Sequence, residues 1–121
     1  MASQVKYQKF LKTQMNGGSD TTGSSVSNAA RVIDFDTNTL KVMLVDDSYT
    51  PSASGHATIA DVTGEVSGTN YTAGGATLSG VTLVETAGTS VFDANDVTFA
   101  QSGSGFADAR YAIIYKDSGT A

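Results

Sequence analysis

A chain of 121 residues with seven basic and twelve acidic side chains carries a net charge of −5; 40% of its residues are hydrophobic and only 16% charged. It has no cysteine, which excludes disulfides, thiolate metal sites and thiol catalysis, and its acidic balance opposes binding to nucleic acid. The length fits one domain, and thirteen glycines among many serines and threonines predict an all-β protein with closely spaced turns rather than a helical bundle.

Residues 1–15 read differently from the rest. Tyr7, Phe10, Leu11 and Met15 recur at helical spacing, and Lys6, Lys9 and Lys12 share the opposite side. The pattern predicts an N-terminal helix or extended arm, with Ser3 as N-cap and Asn16-Gly17-Gly18 as its stop. Such a segment either packs on its own domain or docks on a neighbouring subunit. Its apolar face is too narrow for a membrane surface, and no stretch of the chain approaches the ~20 apolar residues of a membrane span. Residues 16–30, rich in Gly, Ser and Thr, read as a linker, and residues 31–121 as the β body.

Within that body, residues 32–35 predict a short strand, Asp36-Thr37-Asn38 a turn, and residues 39–45 a longer strand covered on both faces. Asp46-Asp47-Ser48 ends it. The long irregular stretch from Tyr49 to His56, with the only proline, predicts a crossing from one sheet to another. Residues 59–66 fit a single helical turn, a loop or a strand. Two turn signals follow, Ser67-Gly68-Thr69-Asn70 and Ala73-Gly74-Gly75, with Tyr71 between them, so the chain reverses twice within a few residues.

Residues 76–85 predict one strand whose parity slip at Ser79-Gly80 marks a β-bulge. Val91-Phe92 and Val97-Thr98-Phe99 alternate across a turn at residues 93–96, and residues 101–106 form a Gly/Ser loop. Residues 109–116 alternate with both faces apolar in the middle, as in a central strand of a sandwich or one whose outer face meets a partner.

Catalytic and metal chemistry have weak claims. Asp34, Asp36 and Asn38 start like a calcium loop, but Thr39 stands where a glycine is needed and Val45 where the bidentate Glu belongs. Asp93, Asn95 and Asp96 form a second acidic turn, and both read as turn chemistry. His56, the only histidine, reads as a solvated loop side chain. Gly103-Ser104-Gly105 fails as a dinucleotide fingerprint because Asp108 replaces the third glycine and a strand follows. Asn70-Tyr71-Thr72 matches a glycosylation triplet, but the chain carries no recognisable export signal. The expectation is therefore no catalytic residue, no metal and no cofactor. Tyr7, Tyr49 and Tyr71, placed in the arm or in loops, are candidate contact anchors, alongside Lys6, Lys9, Phe10, Leu11 and Lys12.

Asp36-Thr37-x-Thr39-Leu40-Lys41-Val42-Met43-Leu44, Tyr49-Thr50-Pro51, His56 and the run from Asp61 through Glu65-Val66-Ser67-Gly68-Thr69-x-Tyr71-Thr72-Ala73-Gly74-Gly75-Ala76-Thr77-Leu78 resemble a set of small tailed-bacteriophage virion proteins. Phe92-Asp93-Ala94-x-Asp96-Val97-Thr98-Phe99 and Ala109-Arg110-Tyr111-Ala112-Ile113-Ile114-Tyr115-Lys116 continue the similarity. A tryptophan often stands in such proteins where this chain has Phe99. The resemblance implies a non-enzymatic virion structural protein, made in the host bacterial cytoplasm and carried on the capsid surface as a decoration or cement protein. Its implied partners are the phage major capsid protein and further copies of itself, a trimer above other orders, with neither nucleic acid nor membrane. A neck, tail or fibre-associated component is the alternative placement. A carbohydrate-binding sandwich, stacking its loop tyrosines on sugar, is the alternative from another class.

Overall fold

A six-residue run, Leu-Lys-Val-Met-Leu-Val, supplies the strand on which the sheet is assembled. In the computed structural model, which describes residues 33–35, 37–101, 103–106 and 108–119, this run is β1, Leu40–Val45. Leu40, Val42, Met43 and Val45 are buried, so both faces of the strand are covered, as its apolar residues at both parities predict. The other strands are β2 (Ala76–Thr77), β3 (Thr82–Thr86), β4 (Thr89–Asp93) and β5 (Tyr111–Lys116). Among the described residues the only helical element is one 3₁₀ turn, Ile59–Asp61, and the architecture is all-β.

The strands form two antiparallel sheets, one ordered β2-β1-β5 and the other a β3-β4 hairpin. β5 pairs with β1 along its whole length, from Leu40 opposite Lys116 to Val45 opposite Tyr111. Backbone bonds extend the ladder at both ends, from Asp117 N–H to the Thr39 carbonyl (2.9 Å) and from Arg110 N–H to the Val45 carbonyl (2.8 Å). A Lys41–Asp117 ion pair of 2.9 Å clips one end. The aspartate raises the lysine's pKa, and the lysine lowers that of the aspartate. Among the described residues β5 is thus an edge strand of this sheet rather than a central one.

The opposite edge of β1 is shared by two segments. β2 covers its first half, with Val42 opposite Ala76 and a bond from Leu78 N–H to the Leu40 carbonyl (2.8 Å). Residues 64–66 cover its end, through Asp46 N–H to the Gly64 carbonyl (2.8 Å), Val66 N–H to the Leu44 carbonyl (3.0 Å) and a bridge between Val45 and Glu65. The chain therefore returns after residues 46–63 to the strand it left. The predicted crossing to another sheet is instead an excursion whose two ends meet on β1.

The segment predicted as one bulged strand, 76–85, is divided between the two sheets. β2 ends at Thr77, Gly80 takes φ +59°, and β3 begins at Thr82 in the hairpin. A parity slip marks this change of sheet as readily as it marks a bulge. The hairpin turn is Ala87-Gly88, both at positive φ (52° and 80°) as a two-residue type I′ turn requires, and the Glu85 carboxylate accepts the Gly88 N–H at 2.6 Å. Residues 97–99 belong to no strand among the described residues, and the short strand expected at 32–35 is not formed by Ile33, Asp34 or Phe35.

By contact density the chain divides into two compact units. One comprises Asp34–Ser48 and Gly64–Ala121, holding all five strands. The described residues of the other are Ile33 and Tyr49–Thr63, where the Asp61 carboxylate folds back onto the N–H groups of Ala57 and Thr58, both at 2.8 Å. Those bonds lower the Asp61 pKa and close the 3₁₀ turn.

Gly75 packs against β1 so closely that a Cβ would collide with the Val42 carbonyl oxygen and Met43 Cα, and its φ of +74° disfavours any L side chain. Gly75→Ala is expected to destabilise the fold by about 2–4 kcal/mol, read as a lowered denaturant midpoint. Ala87→Asn, which puts a residue tolerant of positive φ into the type I′ turn, is expected to raise stability by about 0.5–1 kcal/mol. Unchanged midpoints for both would mean that neither backbone conformation is fixed in solution.

Candidate interaction surface

Where β2 and residues 64–66 part company on the edge of β1, the Leu44 N–H faces neither of them. The Tyr71 hydroxyl fills that place: it accepts the Leu44 N–H at 3.0 Å and donates to Glu65 Oε1 at 2.9 Å. The same carboxylate oxygen accepts the Gly74 N–H, and the Tyr115 hydroxyl donates to the Gly74 carbonyl at 2.7 Å. Both polar ends of Gly74 are therefore held, and the second turn of residues 65–78 is tied to β5. The Tyr71 ring lies beside Phe99 (5.7 Å, 29° between planes) and Phe106 (5.7 Å, 53°). Gly68 bridges to Phe106 in antiparallel fashion, and Thr69 N–H bonds the Gly105 carbonyl at 3.0 Å. Sequence motifs placed Tyr71 between two turns, but no local signal could reveal its partners, which come from residues up to 35 positions away.

The candidate anchors differ in their setting. Tyr71 is half-buried, with hydroxyl and ring both engaged inside the fold. Tyr49 is buried at 1% exposure, its hydroxyl 2.9 Å from His56 Nδ1 and the two rings 5.5 Å apart. His56, expected as a solvated loop side chain, is instead half-buried against that tyrosine. Lys6, Tyr7, Lys9, Phe10, Leu11 and Lys12 lie outside the described residues.

In the two acidic turns Asp34, Asn38, Asp93 and Asn95 make hydrogen bonds, while Asp36 lies outside the described residues. Asn38 Oδ1 accepts the Asp34 N–H and the Asp34 carbonyl accepts the Asn38 N–H, both at 2.9 Å. Asp93 Oδ1 takes the Ala94 N–H at 2.9 Å, while Asn95 bonds Ser79 through backbone (2.8 Å) and side chain (3.2 Å). Among the described residues no group of three or more His, Cys, Asp or Glu side chains is placed to hold a metal ion.

Apolar surface is concentrated elsewhere. Leu83 (48%), Val84 (54%) and Val91 (52%) stand exposed on the hairpin, and Ile114 (53%) on β5. Val84 and Val91 are opposite each other across the hairpin, flanked on the same face by Thr82, Thr86 and Thr89. The opposite face carries Phe92, whose ring meets that of Phe35 at 5.2 Å. The sequence reading missed the Val84/Val91 face because it did not find the Ala87-Gly88 turn that brings the two residues together.

Desolvation first, then the bond and charge of Glu65, push the Tyr71 phenol up to about 12, against the Leu44 N–H, which lowers it. A folded-state pKa above the ordinary 10.0 makes a contribution that is intact below pH 10 and lost as pH rises through 12. Tyr71→Phe is expected to cost about 1–3 kcal/mol at neutral pH, because it strands the Leu44 N–H and one bond to Glu65. It should also flatten the fall in stability between pH 10 and 12. Parallel pH–stability curves for the two proteins would mean that the hydroxyl is not held as described.

Scanned against protein-family models, curated proteins and solved structures, the chain matches none of them.

Proposed function

We propose that this protein is a structural component of a bacteriophage virion, a capsid decoration or cement protein whose copies bridge and stabilise capsid subunits. One observation carries the reading: the motif run of residues 65–78, the most extensive part of the resemblance to small tailed-phage virion proteins, supplies Glu65, Tyr71 and Gly74 to the hydrogen-bonded node that secures β1. The shared residues thus serve a scaffold, as a non-catalytic structural protein requires. The β body is read as a sandwich or jelly roll, and the protein as a homo-oligomer, a trimer above other orders.

Docking is assigned to residues 1–15. Three of the chain's seven basic residues and the apolar Tyr7, Phe10 and Leu11 fall there, on a chain that is otherwise strongly acidic. Apolar burial at roughly 25 cal/mol per Å² would supply the hold and the lysines would steer toward acidic capsid surface. Several linked subunits then gain avidity that no single contact provides.

A chain lacking residues 1–15 is expected to keep its β circular dichroism but fail to co-sediment with purified capsids, whereas the full chain saturates them and is only partly released by salt. Quantitative mass spectrometry of whole virions should find hundreds of copies. About six or twelve copies per particle would place the protein in the neck or tail instead.

A further inference from the structure

Among the described residues, β5 has no strand on its outer side, and the β3–β4 hairpin has none on either side. Open strand edges are ordinarily blunted by lysines, proline or a bulge, because a row of backbone donors and acceptors pairs with any passing chain. These edges carry no proline and no bulge, and their one lysine, Lys116, closes the end of β5. Instead the large apolar side chains left exposed gather on them: of the five that stand out among the described residues, Leu83, Val84, Val91 and Ile114 lie on these strands. A two-stranded hairpin is marginal by itself in water, so this one gains from a further strand beside it.

Charge selects the partner. The three basic side chains of the described residues, Lys41, Arg110 and Lys116, lie on β1, at the entrance to β5 and at its end, whereas the hairpin strands carry Glu85 and Asp93 and no base. Two hairpins brought together would set acidic residues against their own copies. A hairpin brought to β5 sets them beside Arg110 and Lys116.

We propose that the β3–β4 hairpin of one copy adds to the outer edge of β5 in a second copy, extending the three-stranded sheet of its neighbour. The contact is head-to-tail, a geometry that yields either a closed ring or an open filament; in the ring proposed here every subunit gives one hairpin and receives another. Strands of five or six residues span only about 17–20 Å, so one contact falls short of the roughly 800 Å² per partner of a standard interface. A closed ring, in which each copy makes two, compensates. The proposal rests on the homo-oligomer put forward above and specifies its joint.

The absence of native cysteine allows a direct test on the full chain. Val91→Cys and Ile114→Cys, both at half-exposed positions, are made separately, checked for unchanged thermal melting, and treated with a short bismaleimide alone and mixed after subunit exchange. The expected result is a cross-linked dimer in the mixture and little in either variant alone. Cross-linking of Val91→Cys to itself as strong as in the mixture would replace the ring by hairpin-to-hairpin pairing and overturn the proposal. So would light scattering that finds only monomer for the wild-type chain. The double variant Val84→Lys/Val91→Lys should keep its β circular dichroism yet sediment as monomer; an intact oligomer would also reject the joint. Capsid co-sedimentation separates the two readings: an oligomer cross-linked as expected that ignores capsids refutes the virion placement alone, and a wild-type monomer that binds capsids refutes the ring alone.

Discussion

A buried strand must have its backbone polar groups satisfied on both edges, and β1 meets this demand unequally. On one side β5 pairs with it from end to end; on the other, two separate segments arrive from different directions and leave a gap at the Leu44 N–H. An unpaired buried donor costs about 1–3 kcal/mol, so the gap must be filled. Tyr71 fills it with a side chain, and the geometry of residues 65–78 follows from that need. The double turn places the ring beside Phe99 and Phe106, and Glu65 fixes the hydroxyl's orientation by accepting its hydrogen bond. Gly74 and Gly75 keep the returning backbone close enough to pair with β1.

The same arrangement sorts the surface. Side chains near the node are drawn inward, and among the described residues most of the large apolar side chains that meet solvent lie on β5 and the hairpin. A chain with a net charge of −5 resists self-association in general. The basic groups of the described residues, Lys41, Arg110 and Lys116, gather along β1 and β5 and make a local exception to that repulsion. A cysteine-free chain has no disulfide to staple it, so its fold is held by packing and hydrogen bonds alone.

Some of this was legible in the residues and some was not. β1 and β5 were readable because six or more alternating residues with apolar side chains on both parities have few other solutions, and the turns were readable from Gly74-Gly75 and Gly68. The hairpin was not, because Ala87 offers no hint of a φ of 52°, which an Asn in that place would have signalled. The break between β2 and β3 was misread as a bulge because Gly80 serves either purpose. The return of the chain to β1 after residue 63 lay hidden, since Gly64 and Glu65 carry no local mark of the strand they join. Tyr71 was singled out for its position, yet its two polar partners are set by tertiary structure, and so are the Tyr49–His56 pair and the exposed Val84/Val91 face.

The pairing of β1 with β5 has a kinetic meaning as well. These partners are separated by about 70 residues of chain, a long-range closure of the kind that slows folding. During synthesis β1 emerges well before β5, the strand that pairs with it along its whole length. Until then Leu-Lys-Val-Met-Leu-Val stands as a naked apolar segment of high β-propensity, prone to stick to its counterparts on neighbouring ribosomes. A polypeptide of this topology cannot close this sheet until β5 has been made, so the interval between the two strands is the time in which unpaired β1 segments of different chains can meet.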